Sequence, residues 1–186
     1  SYTTIAQTTT SGTDWIELRG MFSFTNDMET LKLYVETTNA SDDFYVDDVK
    51  LSPPGAVQKD IPPLREVYKD DFEIGAAVEP QHLVGVHKEL LNYHYNSIVA
   101  ENVMKPESIS PREGEYHWTN ADQIANFARE NNMNLRFHTL LWHQQGAEWM
   151  LKDDQGNYLE PTPENKALVL QRLETYLREV VGRYKD

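Results

Sequence analysis

The 186-residue chain is 39% hydrophobic and 25% charged, a balance that belongs to a folded protein of one medium domain, or of two if one is small or incomplete. Its formal net charge of -13 argues against a nucleic-acid partner or an anionic membrane, while leaving room for a neutral polymer such as a polysaccharide. With no cysteine there are no disulfides, thiol nucleophiles or thiolate zinc sites, and no apolar run approaches the roughly twenty residues of a membrane span.

Residues 1–51 read as β throughout. Runs at 15–24, 30–36 and 44–51 alternate or are rich in β-formers, and turn clusters around Thr25-Asn26-Asp27 and 39–43 separate them. Three or four strands in about fifty residues make a poor independent core, so this segment reads as the C-terminal remnant of a β-sandwich. The opening at Ser1, inside strand-like sequence and with no signal peptide in view, places the natural N-terminus upstream. Within 31–36 the period is two: Leu31, Leu33 and Val35 share one face, and Lys32, Tyr34 and Glu36 the other. An aromatic ring beside a carboxylate can stack on a sugar and accept its hydroxyl protons. It can equally be an ordinary solvated strand face.

Residues 52–63, SPPGAVQKDIPP, hold four prolines and a glycine and read as a linker between two domains. From 64 onward the grammar becomes β-α-β-α. Strands are expected at 72–78, 96–100 and 134–140. The first helix is expected over 82–93, with Leu83, Val86, Leu90 and Tyr93 inward. The second opens at a capping-box pattern, Thr119-Asn120-Ala121-Asp122, and buries Ile124, Phe127 and Ala128. The third is capped by Thr162 before Pro163, with Val169, Leu173, Tyr176, Leu177, Val180 and Tyr184 as its stripe. Repeated strand–helix units imply a parallel sheet, either a small open one or the first part of a barrel, with a fourth strand due after Asp186.

Two strand ends are dense in chemistry. The second is followed by Glu101, Asn102 and Lys105; the third by His138, Trp142, His143, Gln144, Gln145 and Trp149. Strand C-termini are where barrels and open α/β sheets alike build their sites. A glutamate, an amide and an amine together can hydrogen-bond several hydroxyls of a neutral sugar, although a salt bridge across the mouth of the sheet is the plainer reading. The spacing of His138 and His143 is not that of a helical metal pair. Either histidine can be a satisfied core group, and Trp142 and Trp149 can be core. Glu101 followed by Lys105 suggests binding rather than catalysis.

ENVMKPE, HTLLWHQQ and the strand FEIGAAV together resemble the N-terminal part of the family 10 glycoside hydrolases, the (β/α)8 endo-1,4-β-xylanases. The resemblance implies that residues 64–186 are the first three βα units of a TIM barrel, an α/β fold. It implies that Glu101, Asn102, Lys105, His138, Trp142, His143 and Gln145 line the substrate-binding side. It assigns no catalytic residue here. The family's acid/base and nucleophile glutamates lie in motifs like DVVNE and TELD, and neither occurs in this sequence. Glu101, Glu107 and Glu148 are therefore not given those roles. LKLYVE followed by DFYVDDVKL resembles the end of a family 22 carbohydrate-binding module. That resemblance implies a xylan-binding cleft at Tyr34 and Glu36, with Tyr2 as a further cleft tyrosine, and a structural calcium ligand at Asp48. The whole then reads as part of a modular secreted xylanase: 1–51 the binding module, 52–63 the linker, 64–186 the barrel. Its partner is xylan or xylo-oligosaccharide, with no nucleic acid, no membrane insertion and no catalytic cofactor. The alternative is a non-catalytic xylan-binding protein.

Overall fold

Three short parallel strands organise the residues that carry regular structure. They are β1 (Gly75–Val78), β2 (Ser97–Ala100) and β3 (Asn134–Arg136), in the order β1-β2-β3. The structure is a computed structural model and describes residues 4–9, 12, 14–22, 30–38, 43–53 and 55–185. Chain order around the sheet is α1 (Leu64–Val67), β1, a 3₁₀ turn (Pro80–Leu83), α2 (Gly85–His94), β2, α3 (Pro106–Ile109), α4 (Thr119–Glu130), β3, a second 3₁₀ turn (Glu148–Leu151) and α5 (Pro163–Tyr184).

Register aligns the strand ends. Val78 pairs with Ala100, and Val99 with Arg136, so the segments that follow the strands emerge on the same edge of the sheet. The strands are shorter than their apolar runs. β1 starts at Gly75 because the Ile74 N–H is taken by the Asn96 side chain at 2.8 Å, while the Ile74 carbonyl accepts from Asn96 and Ser97. β3 stops at Arg136 rather than 140 because its partner β2 has ended: after Ala100 the chain turns away, and a strand without a partner has no ladder. Among the described residues β1 and β3 are each paired on one side only.

The core lies between the sheet and its helices. Val78 and Ile98 from the strands meet Ile124, Phe127 and Ala128 of α4, the expected stripe. Each large apolar side chain buried there contributes about 1.5–3 kcal/mol. In α2 the stripe is displaced from the expected one. The helix starts at Gly85, not at residue 82: Leu83 is buried as expected, but from the preceding 3₁₀ turn, while Leu91 and His94 face inward and Leu90 is exposed. Buried His94 accepts the Leu64 N–H at 3.3 Å, and the Tyr93 hydroxyl reaches the Lys59 and Ile61 carbonyls at 3.0 Å each. These bonds tie the end of the proline-rich segment to α2.

α5 begins as its sequence implies: the Thr162 hydroxyl accepts the Asn165 N–H at 3.2 Å, with Pro163 at the first position. Tyr176 and Val180 are buried, and Val169, Leu173, Leu177 and Tyr184 are half-buried on the same face. The Tyr176 ring is fully enclosed and its hydroxyl has no partner among the described residues.

The capping box expected at Thr119 does not form. Trp118 takes the cap position with helical backbone and no side-chain cap bond. Asp122 instead clamps α4 to α5. It accepts from Arg183 Nε at 2.8 Å, from Arg183 Nη2, and from the Tyr184 hydroxyl at 2.9 Å. Arg183 also lies over the Trp118 ring at 4.9 Å, and Trp118 stacks on Tyr116. The Arg183 hydrogen bonds hold the Asp122 carboxyl below its ordinary range, against partial burial and with help from Tyr184. A carboxyl depressed in the folded state adds stability above its unfolded value, about pH 4, and loses it as pH falls through the lowered one. Asp122→Asn is therefore expected to lower stability at pH 7 and to shrink the loss of stability on acidification. Denaturant midpoints for both proteins between pH 3 and 7 check this. Parallel midpoint curves would refute it.

The β reading of the first fifty residues is not matched by paired strands. The described residues between 4 and 53 form no ladder and no helix. Their large apolar groups stay in the open, Trp15 at 72% exposure and Leu33, Val35 and Val46 near half. Too few strands to close a core leave these apolar groups exposed.

Candidate active site

β2 delivers the first half of the site. The Glu101 N–H continues the ladder to the Val78 carbonyl at 3.0 Å. A turn then closes from the Lys105 N–H to the Asn102 carbonyl at 2.9 Å. Lys105 next caps α3, its carbonyl accepting from Ser108 and Ile109, with Pro106 at the first helical position. The Lys105 backbone is thus fixed on both sides.

β3 delivers the second half. Beyond Arg136 the chain passes His138, whose peptide bond to Thr139 is cis, and turns at Gln145 with φ 48°. The Gln145 carbonyl accepts the Glu107 N–H at 3.1 Å, which stitches the two post-strand segments together. A Cβ on Gly146 would lie 3.2 Å from the Trp142 carbonyl, so this tight turn favours glycine. Trp149 donates its indole N–H to the Ser110 carbonyl at 2.8 Å, and Arg172 of α5 donates to the carbonyls of Trp149 and Lys152.

Lys105 is the centre of the arrangement. It is only 7% exposed. Its ammonium donates to Asn102 Oδ1 at 2.9 Å and to Gln145 Oε1, and lies 5.1 Å from the centre of the Trp142 ring. Gln145 Nε2 also reaches Asn102 Oδ1, at 3.2 Å. His138 and His143 flank Trp142, with ring centroids 6.0 Å and 5.4 Å from it. A buried charge must be solvated by something. Here two amide oxygens and an aromatic face do so, and none of the ion pairs among the described residues involves Lys105. The salt bridge between Glu101 and Lys105 considered from their spacing is absent. Glu101 is exposed at the edge of the cradle.

The fold thus brings Asn102, Lys105, His138, Trp142 and Gln145 into one group, with Glu101 and His143 exposed beside it. Glu79 was not picked out by sequence reasoning. It directly follows β1, and its Oε1 accepts the Asn102 Nδ2 hydrogen at 2.9 Å. Its place one residue beyond an apolar strand, like Glu101 after β2, is the signal that would have found it. Glu79 also caps the 3₁₀ turn: its side chain accepts the His82 N–H, and its own N–H donates to His82 Nδ1 at 3.0 Å.

Tyr34 and Glu36 are exposed, in a segment with no sheet to define a cleft, and Tyr2 lies outside the described residues. Asp48 is exposed with φ 53°, its N–H donating to the Asp47 carboxylate at 2.8 Å. Among the described residues no three His, Cys, Asp or Glu side chains converge as a metal site, so these residues alone do not fit a bound calcium. No described helix is long and apolar enough to cross a membrane.

Comparison with known proteins shows what the chain is similar to. The chain is 54% identical over 129 residues to endo-1,4-beta-xylanase A of Halalkalibacterium halodurans, covering 66% of this chain and 33% of that protein. It is 36% identical to endo-1,4-beta-xylanase A of Thermotoga maritima, over 99% of this chain and 18% of that protein. Among solved structures, an intracellular xylanase from Thermoanaerobacterium saccharolyticum, crystallised as a mutant in complex with xylotetraose, superposes with a TM-score of 0.63 at 42% identity. That match covers 69% of this chain and 39% of the other. The chain therefore spans about a third or less of the length of the first two relatives. Members of this family fold as (β/α)8 barrels, and the three parallel βα units here are part of one. Residues 63–186 match glycosyl hydrolase family 10, and the chain belongs to that family.

Proposed function

We propose that the cradle at the ends of β2 and β3 is the glycone-side part of an endo-1,4-β-xylanase site. The observation that carries this is the buried Lys105 ammonium, solvated by the Asn102 and Gln145 amides and the Trp142 face. A cation held by neutral groups keeps its charge available to a hydroxyl oxygen. Glu101 stands exposed beside it to accept a hydroxyl proton. Trp142 gives apolar shape, and His138 and His143 border it. In the full-length protein the reaction would be retaining hydrolysis through a covalent glycosyl-enzyme, using two close carboxylates on other strand ends. The positioning groups described here hold the sugar against them.

In this reading residues 1–51 belong to a xylan-binding module with Tyr34 and Glu36 in its cleft, 52–63 link it to the barrel, and the protein is secreted. Support comes from the Thermotoga maritima alignment, which runs through 99% of the chain, and from the size of a xylan polymer. No cofactor enters the chemistry. A calcium at Asp48 would need further ligands.

Xylotriose titrated into the ¹⁵N-labelled chain tests the reading. The expected result is a saturable shift of the Trp142 indole and of the Asn102 and Gln145 side-chain amides. Shifts confined to residues 1–51 would favour the non-catalytic binding protein instead. No shifts at all would refute both.

A further inference from the structure

The groups around Lys105 form a relay that runs past it to Glu79. The Glu79 carboxylate accepts from Asn102 Nδ2, and Asn102 Oδ1 accepts from Lys105 and from Gln145. The Asn102 amide therefore lies between an anion and a cation, its donor end toward one and its acceptor end toward the other. A carboxylate only accepts and an ammonium only donates. The reversed amide would set Oδ1 against the Glu79 oxygens and Nδ2 against the Lys105 ammonium, losing hydrogen bonds at both ends. Buried Lys105 has no ion pair of its own among the described residues, and the carboxylate that its hydrogen bonds reach through the Asn102 amide is that of Glu79.

We propose that Glu79 is a positioning residue: it locks the orientation of Asn102, so that Asn102 and Lys105 have only N–H donors left for a sugar. Donor counting gives the consequence. Asn102 Oδ1 already accepts twice. One of the two Nδ2 hydrogens is committed to Glu79, and two of the three Lys105 hydrogens are committed to Asn102 and Gln145. What remains is one N–H on each residue. The cradle thus meets the ligand's oxygen lone pairs, and the hydroxyl protons must go elsewhere, to Glu101. A ligand with hydroxyls that accept and donate at once satisfies this. An ammonium ligand, which only donates, does not. This inference rests on the sugar-site reading above.

The competing role for Glu79 is purely structural, as cap of the 3₁₀ turn. Glu79→Ser separates the two, because serine is a good cap residue but is too short to reach Asn102. In the ¹⁵N-labelled 186-residue chain, E79S is expected to keep the amide shifts of Gln81, His82 and Leu83. It is expected to move the Asn102 side-chain NH₂ pair and to weaken xylotriose about tenfold. E79S that binds xylotriose as the wild type does, with Asn102 unmoved, overturns the proposal. If the wild type itself binds no xylotriose, the sugar-site reading falls, and the Asn102 resonances in E79S still decide whether the clamp exists. Should E79S fail to fold, the wild type decides alone. With ¹³C and ¹⁵N labels, a coupling across the hydrogen bond between the Asn102 side-chain nitrogen and the Glu79 carboxyl carbon is expected, and its absence overturns the clamp.

Discussion

The 186-residue chain is expected to leave an aryl xylobioside and soluble xylan uncleaved. Retaining glycoside hydrolysis needs an acid/base and a nucleophilic carboxyl about 5–5.5 Å apart. The motifs that carry this pair in family 10 do not occur in the sequence. The carboxylates at the strand ends have other work. Glu79 is bound to Asn102 and caps a helical turn, and Glu101 borders the Lys105 cradle. General acid–base catalysis alone supplies roughly 10²–10⁴-fold, and the covalent route is lost as well. Chromogenic release that co-purifies with the chain and disappears in Glu101→Gln would refute the expectation and make Glu101 a catalytic group.

Lys105→Ala is expected to weaken xylotriose binding by about 10- to 100-fold, since a hydrogen bond to a charged group is worth about 1.5–3 kcal/mol and each 1.4 kcal/mol is tenfold. The loss is twofold in origin. The sugar loses its charged donor, and Gln145 Oε1 loses its Lys105 hydrogen bond while Asn102 Oδ1 keeps only the longer one from Gln145. Lys105→Arg is not expected to restore binding. A planar fork cannot take the place of a compact ammonium set against the Trp142 ring. NMR titration of both variants, with thermal melts as the control for folding, measures the effect. Wild-type affinity in a folded Lys105→Ala protein would remove Lys105 from the site.

Much of the barrel part was legible because its signals are local. Ile124, Phe127 and Ala128 fall on one helical face wherever α4 packs, and Thr162 before Pro163 is a cap whatever follows. The failures were non-local. Asp122 sits where a capping box would place it, but its partners lie 61 and 62 residues away on α5. The strand that continues by composition to residue 140 stops where β2 no longer runs beside it. Leu90 and Leu91 are both apolar, and only the packing of α2 decides which is buried. The site divided similarly. Density of polar and aromatic residues marked both strand ends, and the resemblance chose among them. Spacing alone suggested that Lys105 pairs with Glu101, whereas in three dimensions the amides of Asn102 and Gln145 are closer. Glu79 escaped because its partner Asn102 is twenty-three residues away.

The one-sided pairing of β1 and β3 also governs how this chain behaves among other chains. Among the described residues each outer strand presents backbone N–H and C=O groups along an open edge, a template for strand addition. Short length limits the hazard, as does the exposed Arg136 on β3, since charge at a sheet edge disfavours stacking of copies.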